Sequence, residues 1–273
     1  MRRAVLSRLA WTLAVLVVLS FVIFTVQRSL PSDPVRIFFG RNASKELIAQ
    51  KRHELGYDRS FFSQYWMFVK RLVRGDLGTS LRTRRAVRSD LATFLPATLE
   101  LAGVAAILSL ALALVIALTG ALRRRGGTLV RAVAIVLSSA PTFLLGLGAV
   151  LLFYRQLHWL PAGGRTRSAT EGNGWVLLRS VFTGKGARTW DALRHLVMPA
   201  LALALAPGVA IGRTLRGSLL DTLELEHIRT VRAGGLKERT VVLRHALRNS
   251  LLPAISMTGL QLGLLLSGVV VVE

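Results

Sequence analysis

The sequence predicts an all-α integral membrane fold, and three observations carry that prediction. Apolar residues make up 52% of the 273-residue chain and charged residues only 18%, a high apolar fraction and a low charge for a soluble globule. The mean hydropathy is +0.50. The apolar residues gather into runs of about 20, the length that carries a helix across a hydrocarbon core of roughly 30 Å. A helix satisfies its own backbone hydrogen bonds, so such runs read as spans.

Composition also excludes several chemistries. The chain has no cysteine, so disulfides, thiolate metal sites and cysteine nucleophiles are absent. The formal charge of +22 is not read as nucleic-acid binding. The basic residues flank apolar runs, where they meet water and anionic lipid headgroups.

The chain opens with Arg2, Arg3 and Arg8, then an apolar run over residues 9–30. A signal peptide shares the basic start, but its apolar part is shorter and a small-residue cleavage site follows it. Here Pro31-Ser32-Asp33-Pro34 follows, so residues 1–30 read as a basic tail and a retained first span ended by Pro31. Residues 31–95 form a long external segment. Within it, residues 43–54 read as a helix with Ser44 as cap and Gly56 as stop. Residues 61–73 read as an amphipathic helix rich in aromatics. Two placements stand for it: in the membrane interface, or as a small packed helix above the membrane. Residues 74–81 carry Gly75 and Gly78 without the spacing of a phosphate loop, and read as a tight turn.

Residues 96–273 form the core. The second span, residues 96–121, opens at Pro96, tolerated in a first helical turn. Glu100 stands near its start, as a lone carboxylate reaching the headgroups. After the basic loop Arg123-Arg124-Arg125 comes the third span, residues 130–153. Ser138, Ser139 and Pro141 lie inside it. They read either as helix packing or as a bend lining a pathway. An external loop over residues 155–195 leads to the fourth span, residues 196–214, where Pro199 and Pro207-Gly208 interrupt regular backbone. Residues 251–272 make a fifth span. Five spans put the termini on opposite faces, and a sixth is expected beyond Glu273. Raw counting of Lys and Arg favours the two long loops, whereas the short loops and span ends place the N-terminus inside, and they weigh more.

Between the last two spans lies a basic excursion, residues 216–250, which cannot sit in hydrocarbon. It reads helix, break, helix. Leu223, Ile228 and Val231 are the apolar positions before the break, Ala233-Gly234-Gly235 makes the break, and Val241, Val242, Leu243, Ala246 and Leu247 resume the pattern. A short helix bounded by flexible residues at a membrane surface suits docking into a groove of another protein. His245 and Asn249 share a helical face four residues apart, which predicts a local polar contact. The five histidines are otherwise scattered and form no enzyme site.

The stretch Arg229-Thr230-Val231-Arg232-Ala233-Gly234-Gly235-Leu236, with Leu243-Arg244-His245-Ala246-Leu247-Arg248-Asn249-Ser250-Leu251-Leu252-Pro253, resembles the EAA-type coupling loop of bacterial ABC importer membrane subunits. The likeness is closest to the DppB/OppB group of dipeptide and oligopeptide permeases. It departs at Val231 and Gly234, where small or basic residues are usual. Further blocks agree, among them Arg74-Gly75-Asp76-Leu77-Gly78-Thr79-Ser80-Leu81, Pro96-Ala97-Thr98-Leu99-Glu100-Leu101 and Trp159-Leu160-Pro161-Ala162-Gly163-Gly164.

The resemblance implies a multi-span ABC importer permease fold in the bacterial cytoplasmic (inner) membrane. It implies a second homologous permease, two cytoplasmic ATPase subunits and an extracytoplasmic substrate-binding protein as partners, with membrane lipid around the spans. ATP and magnesium would belong to the ATPases and no cofactor to this chain, which is no enzyme. Arg229, Arg232, Ala233, Gly234, Gly235, Leu236, His245 and Asn249 are the implied ATPase-coupling residues. Candidates for lining the pathway are Ser138, Ser139, Pro141, Pro207 and Gly208. The implied cargo is di- or oligopeptide, with nickel or another small solute as the alternative. A channel or structural membrane protein that needs no ATPase is the alternative of another class.

Overall fold

The computed structural model describes residues 2–29, 44–54, 56–80, 82–122, 127–166 and 174–272. The expected stop at Pro31 and the Arg123–Arg125 loop lie outside the described residues. The chain forms two compact units, Met1–Leu91 and Ala92–Glu273.

The first unit holds α1 (Arg2–Ser29), α2 (Lys45–Glu54) and α3 (Phe61–Val73). Residues Val5–Ser29 of α1 are long and apolar enough to cross a membrane. Helix α2 stops as its glycine predicts. Gly56 has φ +73, and the amides of Gly56 and Tyr57 bond back to the carbonyls of His53 and Arg52, the paired closure of a left-handed helix end. Helix α3 lays Phe61, Tyr65 and Phe68 on Phe21 and Phe24 of α1, with ring centroids 5.1–5.8 Å apart. The Gly75–Gly78 stretch is a tight turn: Asp76 accepts the Gly78 amide at 2.9 Å, and Thr79 bridges to Ala86.

The long helix α4 runs from Val87 to Ala121. It starts nine residues before Pro96, which therefore stands inside the helix and not in its first turn. Asp90 favours the earlier start, since a carboxylate in the first turn meets the positive end of the helix dipole. The second unit continues with α5 (Gly127–Ser138), α6 (Thr142–Ala149) running into a π-helical stretch (Val150–Gln156), α7 (Val176–Phe182) and α8 (Gly186–Leu223). Helix α9 (Glu226–Ala233) follows, then α10 (Glu238–Thr240), a second π-helical stretch (Val241–Ala246) and α11 (Leu247–Val272). Among the described residues, four helical stretches have membrane-crossing length and hydropathy: Val5–Ser29, Val87–Ala121, Gly186–Leu223 and Glu238–Gly268. The α5–α6 pair passes the same test together but is bent by 108°.

Helix α8 is continuous over 38 residues, through both Pro199 and Pro207. The expected interruption does not occur, because neighbouring helices support the backbone where a proline removes an N–H. Small residues make this possible. In lipid, helices gain little from apolar burial against each other, so close approach supplies the attraction. Ala113 and Ala117 of α4 meet Ile211 and Leu215 of α8 and Ala254 of α11, and farther along Leu101 and Ala105 meet Ala200, Leu203 and Leu265. The Ser109 hydroxyl of α4 donates to the Ala204 carbonyl of α8 at 3.1 Å and to its own Ala105 carbonyl. At Gly212 an added Cβ would lie 3.1 Å from the Ala113 Cα, and at Gly208 it would lie 2.9 Å from Leu112.

Glu100 is not a surface carboxylate. Its side chain is 3% exposed and lies 2.9 Å from Arg165 Nη2. Its other oxygen accepts the Leu178 amide at 3.0 Å, in the first turn of α7, where helix N–H groups have no intrahelical partner. Arg165 also donates to the Gly174 carbonyl. One carboxylate thus ties α7 and the chain around Arg165 to α4.

Two outcomes are expected. Gly212→Leu forces α4 and α8 apart and costs about 1–3 kcal/mol, read as a lower melting temperature of the detergent-solubilised chain. Glu100→Ala removes a buried partner from both Arg165 and the Leu178 amide, a loss of about 3 kcal/mol. It shows as accelerated hydrogen exchange confined first to α7.

Candidate functional site

The excursion between α8 and α11 folds into a small platform. Helix α8 ends at Leu223, Leu225 is extended, and α9 starts at Glu226. Two turns of helix in a strongly charged sequence have little stability alone. What holds α9 is its apolar stripe. Ile228 is fully buried and Val231 half-buried, packed with Ala121 of α4, Leu219 of α8, and Val241, Val242 and Ala246 of the π-helical stretch. The wider π turn carries those three residues to the buried side together. Beneath them the Ser250 hydroxyl donates to Thr222 Oγ1 at 2.9 Å, fully buried, joining α11 to α8.

The opposite face of α9 is open. Glu226, His227, Arg229, Thr230, Arg232 and Ala233 are exposed. The helix closes at Gly234 and Gly235. Gly235 has φ +78, a left-handed conformation that costs other residues about 1–2 kcal/mol, and no atom lies within 4 Å of where a Cβ would stand. Leu236 follows, exposed. Arg232 is not free: its guanidinium forks onto the Glu238 carboxylate with contacts of 3.0 and 2.8 Å. That hydrogen bond, then the charge of Glu238, raises the Arg232 pKa above its ordinary value, so the guanidinium stays charged throughout.

The implied coupling residues from Arg229 to Leu236 thus form one continuous exposed edge. His245 and Asn249 do not pair with each other. The Asn249 amide lies 3.4 Å from His227 Nε2, because the π turn containing His245 adds a residue and shifts the alignment that a spacing of four gives in an α-helix. The anchor beneath the edge was less visible in sequence. Ile228 and Val231, three apart in a charged stretch, carried that signal; Leu219, Thr222 and Ser250 sat in longer helices and carried none.

The candidate pathway residues divide. Ser138, Ser139 and Pro141 form the elbow between α5 and α6. Pro141 is extended and lacks an N–H, and both serine hydroxyls donate to the Ile135 carbonyl at 2.9 Å. Ser139 and Pro141 are exposed. Pro207 and Gly208 are buried in the seam between α8 and α4. A separate cavity of about 200 Å³ is lined by Tyr154, His158, Trp159, Asp191, Arg194 and His195. Two of its polar groups are used internally: Arg194 donates to the Trp159 carbonyl, and His195 Nδ1 to the Asp191 carbonyl.

Residues 109–273 match the family described as binding-protein-dependent transport system inner membrane component, and residues 1–102 match its N-terminal membrane component. The chain belongs to this family. It is 39% identical to the probable D,D-dipeptide transport system permease protein DdpB of Escherichia coli, over 99% of this chain and 82% of that protein. It is 33% identical to the dipeptide transport system permease protein DppB of Alkalihalophilus pseudofirmus, over 98% and 82% of the two chains. The same identity holds for the glutathione transport system permease protein GsiC of Salmonella paratyphi A, over 98% and 80%. The chain is therefore a multi-pass inner-membrane permease subunit of an ABC importer, and its role is transport and not catalysis.

Ile228→Ala is expected to remove the anchor of α9 at about 2–4 kcal/mol. The check is hydrogen exchange: amides of Glu226–Ala233 lose protection while those of α8 above Leu219 keep theirs.

Proposed function

We propose that this permease carries di- or oligopeptides inward and that α9 is its coupling helix. The observation that carries the reading is the two-sided character of α9: Ile228 is fully buried and Val231 half-buried beneath a helix whose remaining side chains are open to the outside of the subunit. A partner that grips the open edge moves the ends of α4, α8 and α11 with it, because all three share the Ile228 cluster or its immediate neighbours. The partners in this reading are two cytoplasmic ATPases at the α9 edge, a second permease beside the spans and an external substrate-binding protein. ATP chemistry belongs to the ATPases.

In mechanism, ATPase closure displaces α9. Gly234 and Gly235 take up the change of angle, and Ile228 passes the displacement to Leu219 and Val241. The tight α4–α8 seam then moves as a unit, which makes the transition a switch between packings. The bent α5–α6 pair counts as a fifth span, with Ser139 and Pro141 at its elbow lining the path, while Pro207 and Gly208 serve the seam behind it. Residues 96–273 form the transport core, and the N-terminus lies inside. The peptide assignment is supported by the relatives, whose substrates are a D,D-dipeptide, dipeptides and glutathione.

Co-expression with the second permease and ATPase pair, followed by purification through an ATPase tag, tests the coupling role. The wild-type chain is expected to co-purify. Gly235→Arg places a long cation in the open edge and abolishes recovery, whereas Gly235→Ala keeps it, with only the conformational strain. Failure of the correctly inserted wild-type chain to co-purify with any ATPase would sink the reading. Uptake of labelled dipeptides by the reconstituted assembly tests the cargo separately.

A further inference from the structure

We propose that α3 is a membrane-embedded interfacial helix. Its free apolar face, Phe62, Trp66 and Val73, lies among the acyl chains of the leaflet holding the Ser29 end of α1. Lys70, Arg71 and Arg74 meet the phospholipid phosphates there.

Depth carries the argument. The apolar stretch Val5–Ser29 is 25 residues long, and at about 1.5 Å per residue it spans the ~30 Å hydrocarbon thickness with roughly 4 Å to spare at each end. Its midpoint, Val17, then sits near the bilayer centre. Phe21 and Phe24 lie roughly 6 and 10 Å from that centre, inside the ~15 Å half-thickness. These are the residues on which α3 packs. The Tyr65 hydroxyl reaches farther still, to Ser20 Oγ at 2.9 Å and the Val17 carbonyl at 3.3 Å. A helix with these contacts is level with hydrocarbon, not above it.

The contacts also set its attitude. Phe61, Tyr65 and Phe68 extend over about 10 Å of α3, yet their ring partners on α1 fall within one turn. Helix α3 therefore crosses α1 steeply and lies near the membrane plane. That is the depth and posture of an interfacial amphipathic helix, whose apolar face sinks about 5–10 Å below the headgroup boundary.

The remaining chemistry agrees. Phe62 is 74% and Trp66 68% exposed, with Val73 exposed on the same stripe, an apolar face that water would penalise. Polar groups on the inner side have internal partners. The buried Gln64 amide donates to the carbonyls of Tyr57 and Arg59, and Tyr65 bonds to Ser20. The helix contains no acidic residue, and its basic residues Lys70 and Arg71 sit in the last turn, with Arg74 as the cap. That pattern complements anionic headgroups. Arg28, which donates to the Tyr57 carbonyl at 2.9 Å and stands over the Tyr57 ring, marks the headgroup end of α1.

The chain has no cysteine, so single-cysteine variants carry one spin label each. The experiment uses the full chain, assembled with its partner subunits, in vesicles of phosphatidylethanolamine and phosphatidylglycerol. Phe62→Cys and Trp66→Cys alter exposed positions and leave the packing of α3 on α1 intact; Glu46→Cys on exposed α2 is the aqueous reference. Power-saturation measurements compare collisions with oxygen, which concentrates among acyl chains, and with a water-soluble nickel chelate. Oxygen collisions are expected to exceed nickel collisions several-fold at 62 and 66, with the reverse at 46. Nickel-dominated collisions at 62 and 66 would overturn the proposal by placing the face in water. Poor access to both reagents would overturn it as well, because a protein surface would then cover the face.

Discussion

The seam between α4 and α8 is the constraint on which the second unit depends. Lipid removes the usual reward for hiding apolar side chains, so these helices hold each other only where their surfaces come close. Ala113 and Ala117 on one side, Gly208 and Gly212 on the other, permit that approach, and the Ser109 hydroxyl adds a bond across it to the Ala204 carbonyl. Close packing of this kind resists sliding by fractions of an ångström. It therefore moves as a block or repacks altogether. A permease that works by alternating between two arrangements needs both a rigid block and a place where rigidity ends. In the proposed mechanism the seam supplies the first and the bend at Ser139–Pro141 the second.

Several buried polar groups of the second unit bond to a partner on another element and act as ties. Glu100 joins α4 to the first turn of α7 and to Arg165. Thr222 and Ser250 join α8 to α11 directly under α9. In a low-dielectric interior an unpartnered carboxylate or hydroxyl is costly, so these pairs specify which helices meet even where apolar surface would tolerate several arrangements. The Glu100 tie lies within the N-terminal half of α4, and the Ala121–Leu219–Ile228 cluster at its C-terminal end. The long helix is fastened at both places and close-packed between them.

How much of this was legible in the sequence follows from the range of each signal. Hydropathy identified four of the membrane-length helices because a span is a local property. It placed their ends poorly. Helix α8 begins at Gly186, ten residues before the apolar run, since polar residues continue a helix as readily as apolar ones once a core holds it. The prolines misled for a related reason: Pro96, Pro199 and Pro207 break helices in isolation, but here neighbouring helices hold the backbone. The exposed edge of α9 was legible because glycines and arginines at a membrane surface form a local pattern. Glu100 was misread because its partners, Arg165 and Leu178, are more than sixty residues away. The His245–Asn249 contact failed because no local pattern reveals a π turn.

In the coupling role proposed for α9, the work divides between two residues with opposite environments. Gly235 is fully open and in a left-handed conformation, so it governs what can approach and at what angle. Ile228 is fully buried, so it governs where a force goes. A two-turn helix would unravel under load if it were held only by its own hydrogen bonds. Ile228 prevents this by making the fold of α9 conditional on its seat between Leu219 and Val241. A displacement of the edge then has two outlets, unfolding of α9 or movement of the helix ends beneath it. Unseating Ile228 forfeits a complete burial, whereas tilting the ends of α8 and α11 together preserves the cluster. In the proposed mechanism the second outlet is the one taken, because it keeps Ile228 buried, and it leads into the membrane.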